Sequence, residues 1–149
     1  MADELLFTPL RIPEHQIHRI RGEDSPAVAV KNAESELRQI APSNQDGQPV
    51  LDLILLGMGD DGHTASLFPG TAALEEKVRK VVANFVPKFN TWRITFTFPL
   101  IDQARHVCYL VNANKNVDLL QKVLGGDRQF PSARVEPANG ALTWILGEA

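Results

Sequence analysis

The spacing of apolar residues predicts one long helix in the first third of the chain. Ser25 stands where a helix cap is expected, and Pro26 follows at the first helical position, where proline sacrifices no backbone hydrogen bond. Apolar side chains then recur at steps of three and four residues, at Val30, Ala33, Leu37 and Ile40. Such spacing predicts a helix with one buried face.

The other apolar segments are short and predict strands that alternate with helices. The run Leu51–Leu56 is almost continuously aliphatic, as in a buried strand, whereas apolar and polar residues alternate from Trp92 to Phe98 and place Arg93 on a polar face. Further strands are predicted at Val78–Ala83, His106–Val111 and Leu142–Leu146, with a helix at Val117–Leu124 that ends at Gly125 and Gly126. This alternation favours a doubly wound α/β fold, a mainly parallel sheet with helices on both faces.

The composition is that of an ordinary globular domain. A chain of 149 residues is expected to form a single domain, residues 1–149, and its 44% hydrophobic and 22% charged residues exclude disordered and fibrous classes. The net charge of −3 gives no sign of the positive surface that binding to nucleic acid or to an anionic membrane would need. No apolar stretch reaches the ~18 residues of a membrane helix. The single cysteine, Cys108, cannot form an internal disulfide, so a cytoplasmic location is expected.

The most informative segment follows the Leu51–Leu56 strand. Three glycines, Gly57, Gly59 and Gly62, form a turn that presents His63, and a short helical stretch is expected from there to Pro69. Their spacing matches that of dinucleotide-binding turns, but two aspartates stand where a pyrophosphate needs neutral N–H groups and the following helix is cut short. A purely structural turn with a packed histidine stays open. Because ligands of parallel sheets bind beyond the carboxyl ends of strands, the turn is a candidate site.

The segment Gly57–Pro69, GMGDDGHTASLFP, resembles the signature of 6-phosphogluconolactonases, within the wider group that includes glucosamine-6-phosphate deaminases. Further similarity lies, in the family's order, at Ile12–Ile20, Gly22-Glu23, Arg93–Thr95, Ala104–His106, Arg134–Pro137 and Leu142–Trp144, so that essentially the whole chain is covered. The chain resembles only the later part of the family domain. The resemblance implies that the first strands of the family fold are not among these 149 residues, and Met1–Leu6 resembles the middle of a family helix.

The resemblance implies hydrolysis of 6-phospho-D-glucono-1,5-lactone to 6-phosphogluconate in the oxidative pentose phosphate pathway, without a cofactor or a metal. His63 is the candidate general base for water, with Asp61 orienting it or capping the turn. Backbone N–H groups from Gly59 to His63 are candidates to bind the developing oxyanion. Candidate substrate-binding residues are Gly57, Gly59, Gly62, Thr64, Arg93 and Lys115, with the two cations facing the phosphate.

The chain departs from the family at one of these positions. An alignment without gaps places Asn116 where many relatives have a lysine, and Lys115 one residue early. Two alternatives remain. A truncated, non-catalytic remnant would bind a sugar phosphate or a protein partner without turnover. An aminosugar-phosphate deaminase would need a carboxylate five residues after the histidine, where this chain has Phe68. The expected partner is a small phosphorylated lactone, and the oligomeric state is not predicted.

Overall fold

The computed structural model describes residues 2–148. Its helices are α1 (Pro26–Ile40), the single turn α2 (Phe98–Ile101) and α3 (Val117–Leu124), and its strands are β1 (Ile54–Leu56), β2 (Val81–Val86), β3 (Thr91–Phe96), β4 (His106–Asn112) and β5 (Ala141–Gly147). A π-helical segment at Asp3–Phe7 precedes them, on part of the predicted N-terminal helix, while Met1 lies outside the described residues. Short 3-10 turns occupy Glu14–Gln16, Ala72–Glu75, Pro87–Phe89 and Pro131–Arg134.

The first helix begins as predicted and buries part of the predicted face. Ser25 is its N-cap residue and Pro26 its first residue, although the Ser25 hydroxyl makes no capping bond. The buried side chains of α1 include Ala33 and Leu37, which pack against β2 and β3. Ile40, by contrast, is exposed. In α3 the Asn116 side chain accepts the Leu119 N–H at 3.2 Å and so caps the helix.

The central sheet is parallel, in the order β1-β4-β5. Its inner face carries the main core, in which Tyr109 of β4 is fully buried and stacks on Trp144 of β5 with ring centroids 3.9 Å apart. The outer face, over residues 2–148, leaves Leu55, Leu110 and Ile145 about half exposed. The predicted α/β class with a mainly parallel sheet is therefore confirmed.

Two strands form a separate antiparallel hairpin. β2 pairs with β3 from Val81↔Phe96 to Val86↔Thr91, joined by the 3-10 turn at Pro87–Phe89. The strand predicted at Val78–Ala83 is thus displaced toward the C-terminus, and the one predicted from Leu51 begins only at Ile54. The connection between β2 and β3 can be short because antiparallel strands can be joined by a tight turn, whereas parallel strands need a long crossover.

The faces of β3 differ from the prediction. Trp92 was expected in the core but is 55% exposed, whereas Thr95, expected on a solvated face, is 2% exposed. Thr95 is buried because its hydroxyl oxygen accepts the Ser66 N–H at 3.0 Å, so this face of β3 packs against the segment that follows His63. Ile94 and Phe96 pack on the opposite side, with α1. The predicted alternation of residues between the two faces of β3 is therefore correct, but both faces pack against other parts of the protein.

The helix predicted after His63 is absent. Thr64 and Leu67 form an isolated β-bridge, with Leu67 N–H bonded to Thr64 O at 2.8 Å. Ala65 has a φ of 48°, outside the right-handed helical region. The prediction was wrong because the Ser66 N–H bonds to Thr95 rather than to a helical carbonyl. This segment therefore holds the turn against the hairpin.

Candidate active site

The turn after β1 is closed by its own backbone. Gly59 N–H donates to His63 O and Gly62 N–H donates to Gly59 O, each at 2.9 Å. Gly62 has a φ of +73°, which disfavours any side chain there, and an added Cβ would also lie 2.7 Å from the Phe130 ring. Thr64 is fully buried and its hydroxyl donates to Gly57 O at 2.9 Å. The Thr64 side chain thus ties the two ends of the turn together.

His63 and Asp61 form a hydrogen-bonded dyad. His63 Nδ1 lies 2.5 Å from Asp61 Oδ1, and the same oxygen accepts the His63 backbone N–H at 3.2 Å. Because a carboxylate can only accept, the proton of this contact belongs to Nδ1, which leaves Nε2 as the basic nitrogen of the neutral ring. Both side chains are about a quarter exposed, 26% for His63 and 28% for Asp61. The turn therefore presents an oriented imidazole at the end of a parallel strand.

The Asp61 carboxylate is held in its ionised form. Burial by itself raises the pKa of Asp61, but hydrogen bonds from the His63 ring, from Lys88 and from the His63 N–H outweigh burial and bring the pKa to about 2. Lys88 Nζ donates to the second carboxylate oxygen, Oδ2, at 3.0 Å. At neutral pH Asp61 is thus a carboxylate, and it orients the His63 ring.

Two neighbours confine the imidazole ring. The Phe68 ring stacks on it with centroids 4.0 Å apart and an interplanar angle of 22°. Phe89, from the end of the hairpin, meets Phe68 edge to face at 5.7 Å. Gly59 is the other neighbour, because a Cβ built there would overlap the ring atoms of His63. The ring position therefore depends on the absence of a side chain at Gly59 as well as on Asp61.

His63 lines a cavity of about 440 Å³. The cavity is bordered by β1 and by Gly57, Met58, Gly59, His63, Ala65 and Phe96. Its volume lies within the roughly 300–1,000 Å³ typical of small-molecule sites. The imidazole is thus open to a small ligand rather than sealed in the core.

The two predicted cations lie in different places. Lys115 Nζ is 3.1 Å from Asp60 Oδ1, which brings this lysine to the rim of the glycine turn. Arg93 lies on β3 with its guanidinium carbon 5.9 Å from the centre of the Phe89 ring, and it lines a neighbouring cavity of about 380 Å³. The structure therefore brings Lys115, Asp61 and the glycines together with His63, while Arg93 approaches from the hairpin side.

Sequence reasoning missed two residues that support the turn. Lys88 is separated from Asp61 by 27 positions in the chain. Ser132, which is 1% exposed, donates from Oγ to Gly62 O at 2.9 Å and from its backbone N–H to the same oxygen at 3.0 Å. Neither residue lies in a motif of its own, and only the fold shows these contacts. Over residues 2–148 no group of three or more His, Cys, Asp or Glu side chains is arranged to hold a metal ion.

Fold and turn together define an α/β protein with a histidine–carboxylate dyad at the carboxyl end of a parallel strand. Residues 1–144 match the family model described as glucosamine-6-phosphate isomerases/6-phosphogluconolactonase. The chain belongs to this family.

Similar sequences carry the name of one branch of the family. The 6-phosphogluconolactonase of Haemophilus influenzae is 38% identical over 151 residues, which cover 99% of this chain and 62% of that protein. The 6-phosphogluconolactonase of Chlamydia muridarum is 42% identical over 139 residues, covering 92% of this chain and 52% of that protein. The chain therefore spans about half to three fifths of the length of these relatives.

Solved structures agree in fold. The crystal structure of devB protein superposes with a TM-score of 0.86 at 32% identity and covers 97% of this chain and 61% of that chain. The 6-phosphogluconolactonase of Leishmania guyanensis gives a TM-score of 0.79 at 26% identity, with 97% of this chain and 63% of that chain covered. In the part of the chain that the structure describes, no helix is long and apolar enough to cross a membrane.

Proposed function

We propose that this chain belongs to an enzyme that hydrolyses 6-phospho-D-glucono-1,5-lactone to 6-phosphogluconate, a step of the oxidative pentose phosphate pathway. The observation that carries the proposal is the Asp61–His63 dyad, whose Nδ1–Oδ1 contact is 2.5 Å and whose ring lines a cavity at the end of β1. The names of the similar sequences support the choice of substrate. The proposal needs no cofactor and no metal, and the lone Cys108 supports a cytoplasmic setting.

In the proposed reaction His63 acts as the general base. Nε2 removes a proton from a water molecule while the oxygen of that water attacks the lactone carbonyl carbon, and Asp61 stabilises the imidazolium through its bond to Nδ1. The tetrahedral intermediate then collapses as the bond from the carbonyl carbon to the ring oxygen breaks. The imidazolium returns its proton to that leaving oxygen, which restores the neutral ring and yields the open-chain acid. One histidine thus serves both proton transfers.

The turn narrows the choice of oxyanion donors. The N–H groups of Gly59, Gly62 and His63 are already bonded inside the turn, to His63 O, Gly59 O and Asp61 Oδ1. Of the five N–H groups predicted as donors, those of Asp60 and Asp61 remain. Backbone donors suit a developing negative charge because they are preorganised and need no side-chain ordering. We therefore assign the oxyanion to these two N–H groups.

The phosphate is assigned to Lys115 and Arg93. Lys115 is a better candidate than Asn116 for the phosphate contact, because the Asn116 side chain caps α3. Its present partner is Asp60, and both side chains are about two thirds exposed, so a phosphate can displace this pair at little cost. Arg93 supplies a planar fork that can bind phosphate through two parallel hydrogen bonds.

The test is lactone turnover, measured against the spontaneous hydrolysis blank. His63→Ala is expected to lose about 10²–10⁴ in kcat, which is the usual contribution of a positioned acid–base group. The matched control is His18→Ala, because His18 also pairs with a carboxylate, Glu36, at 2.9 Å, but away from the turn. We expect this variant to stay within about twofold of the wild type. Wild-type turnover equal to the blank, or equal losses in both variants, would contradict the proposal.

The deaminase alternative is disfavoured by the structure, because Phe68 is 6% exposed and stacked on His63, where that reaction needs a carboxylate.

A further inference from the structure

The end of the β2–β3 hairpin meets the dyad at two points. Lys88 Nζ donates to Asp61 Oδ2 at 3.0 Å, and the next residue, Phe89, packs its ring against Phe68, which stacks on His63. Asn90 closes this end of the hairpin with a left-handed φ of 46°. A single short turn thus contacts both the carboxylate and the aromatic support of the imidazole.

The contacts of Lys88 differ in kind from an ordinary surface ion pair. Exposed ion pairs contribute little to stability, and the Lys88 side chain is 58% exposed. Its contact with Asp61 is therefore expected to contribute little to the stability of the fold. Its place is nevertheless specific. Asp61 Oδ1 accepts two bonds from His63, and Lys88 is bonded to Oδ2, the oxygen that His63 does not use. With both oxygens bonded, rotation of the carboxylate is opposed from both sides.

We propose that Lys88 is a positioning residue of the dyad: it holds Asp61 Oδ2, so that Oδ1 keeps the His63 ring, which lines the cavity, in one orientation. The proposal rests on the proposed function for its catalytic meaning, but the geometry that it describes exists without substrate. The positive charge of Lys88 also partly offsets the negative charge of Asp61, which would otherwise act only on the imidazole. Lys88 itself acts only through Asp61 and touches no reacting atom.

The neighbouring charges fit this role. Burial raises the pKa of Asp61, and the hydrogen bond from Lys88 is among those that outweigh burial and keep the carboxylate ionised. Asp60 with its partner Lys115, and Arg93 on the Phe89 ring, are further charges close to the turn. Loss of the Lys88 contact is therefore expected to weaken the hold of Asp61 on His63 Nδ1.

The test compares Lys88→Met, which removes the charge, with Lys88→Arg, which keeps it. Lys88→Gln is a second neutral variant, so that a folding defect in one neutral variant does not end the comparison. Lys31→Met is the matched control, since Lys31 is an exposed lysine of α1. The first readout is the ring-nitrogen NMR spectrum of His63, which distinguishes the Nδ1–H tautomer from the Nε2–H tautomer and is assigned with His63→Ala. The second is kcat and KM for lactone hydrolysis.

We expect the neutral variants to show a larger share of the Nε2–H tautomer of His63 and to lower kcat about tenfold, with KM within about threefold, as for loss of an orienting outer partner. Lys88→Arg and Lys31→Met are expected to match the wild type in both readouts. Neutral variants whose ring-nitrogen spectrum overlays that of the wild type, or an Lys88→Arg variant that behaves like them, would overturn the proposal. A wild type without turnover would defeat the lactonase function alone, because the NMR spectrum still decides the role of Lys88.

Discussion

Alanine at position 59 is the sharpest perturbation that the structure suggests. The φ of Gly59 is not in the left-handed region, so alanine is compatible with the backbone there. The added Cβ, however, would overlap His63 Cε1 and Nδ1 and would lie 2.9 Å from Nε2. Gly59 cannot easily move away, because its N–H and C=O are bonded to His63 O and Gly62 N, each at 2.9 Å. The imidazole must therefore move instead.

The size of the effect follows from these contacts. Non-bonded carbon atoms need about 3.5 Å, so relief of the overlap displaces the ring by more than ~1 Å. The Nδ1–Oδ1 contact, 2.5 Å in the structure, would then exceed the ~3.2 Å limit of a hydrogen bond. A misplacement of ~1 Å costs about 10²-fold in rate. Gly59→Ala is therefore expected to lower kcat at least about 10²-fold, while crowding costs no more than about 3 kcal/mol of unfolding free energy.

The assay is lactone turnover above the spontaneous blank, with chemical denaturation to confirm the fold. Gly57→Ala is the comparison within the same turn, because its Cβ would meet no atom within 4 Å. We expect it to lose at least tenfold less activity than Gly59→Ala. Similar turnover by the two variants, or a Gly59→Ala enzyme within threefold of the wild type, would refute the argument that Gly59 exists to make room for His63.

Two further predictions concern stability. Ser132→Ala removes the buried hydroxyl that donates to Gly62 O at 2.9 Å. We expect this variant to lower the unfolding free energy by about 1 kcal/mol and Tm by about 2–4 °C. An unchanged Tm would show that this hydrogen bond does not stabilise the protein. Burial raises the pKa of Asp102 to about 6, against the opposing hydrogen bond from the Glu136 N–H. Because the folded state then binds more protons than the unfolded state between pH ~4 and 6, the wild type loses stability as pH rises through that window. Asp102→Asn should therefore match the wild type near pH 4 and exceed it by about 1 kcal/mol at pH 7 in denaturation experiments, after allowance for partial exposure; a constant difference at all pH values would contradict the sign.

Residue patterns are reliable where one segment supplies both partners of an interaction. The helix α1 begins at Pro26 and α3 ends at Leu124, as predicted. The strand β4 is one residue longer than predicted at its C-terminal end, and β5 is one residue longer at each end, because the periodicity of these strands is local. Asp61 and His63 are two residues apart, so their pairing needs only the glycine turn around them. The position of the dyad at a strand end was thus accessible to prediction.

Only the tertiary structure decides what surrounds that dyad. Lys88 lies 27 positions from Asp61, and Ser132 lies 70 positions from Gly62, so no local pattern links them. Long-range contacts also replaced the helix expected after His63, since Thr95 takes the Ser66 N–H. The sequence by itself determines the α/β class and the residues of the turn, because backbone propensities act over a few residues. Chain folding determines which distant charges and hydroxyls support them, because those partners are set by packing.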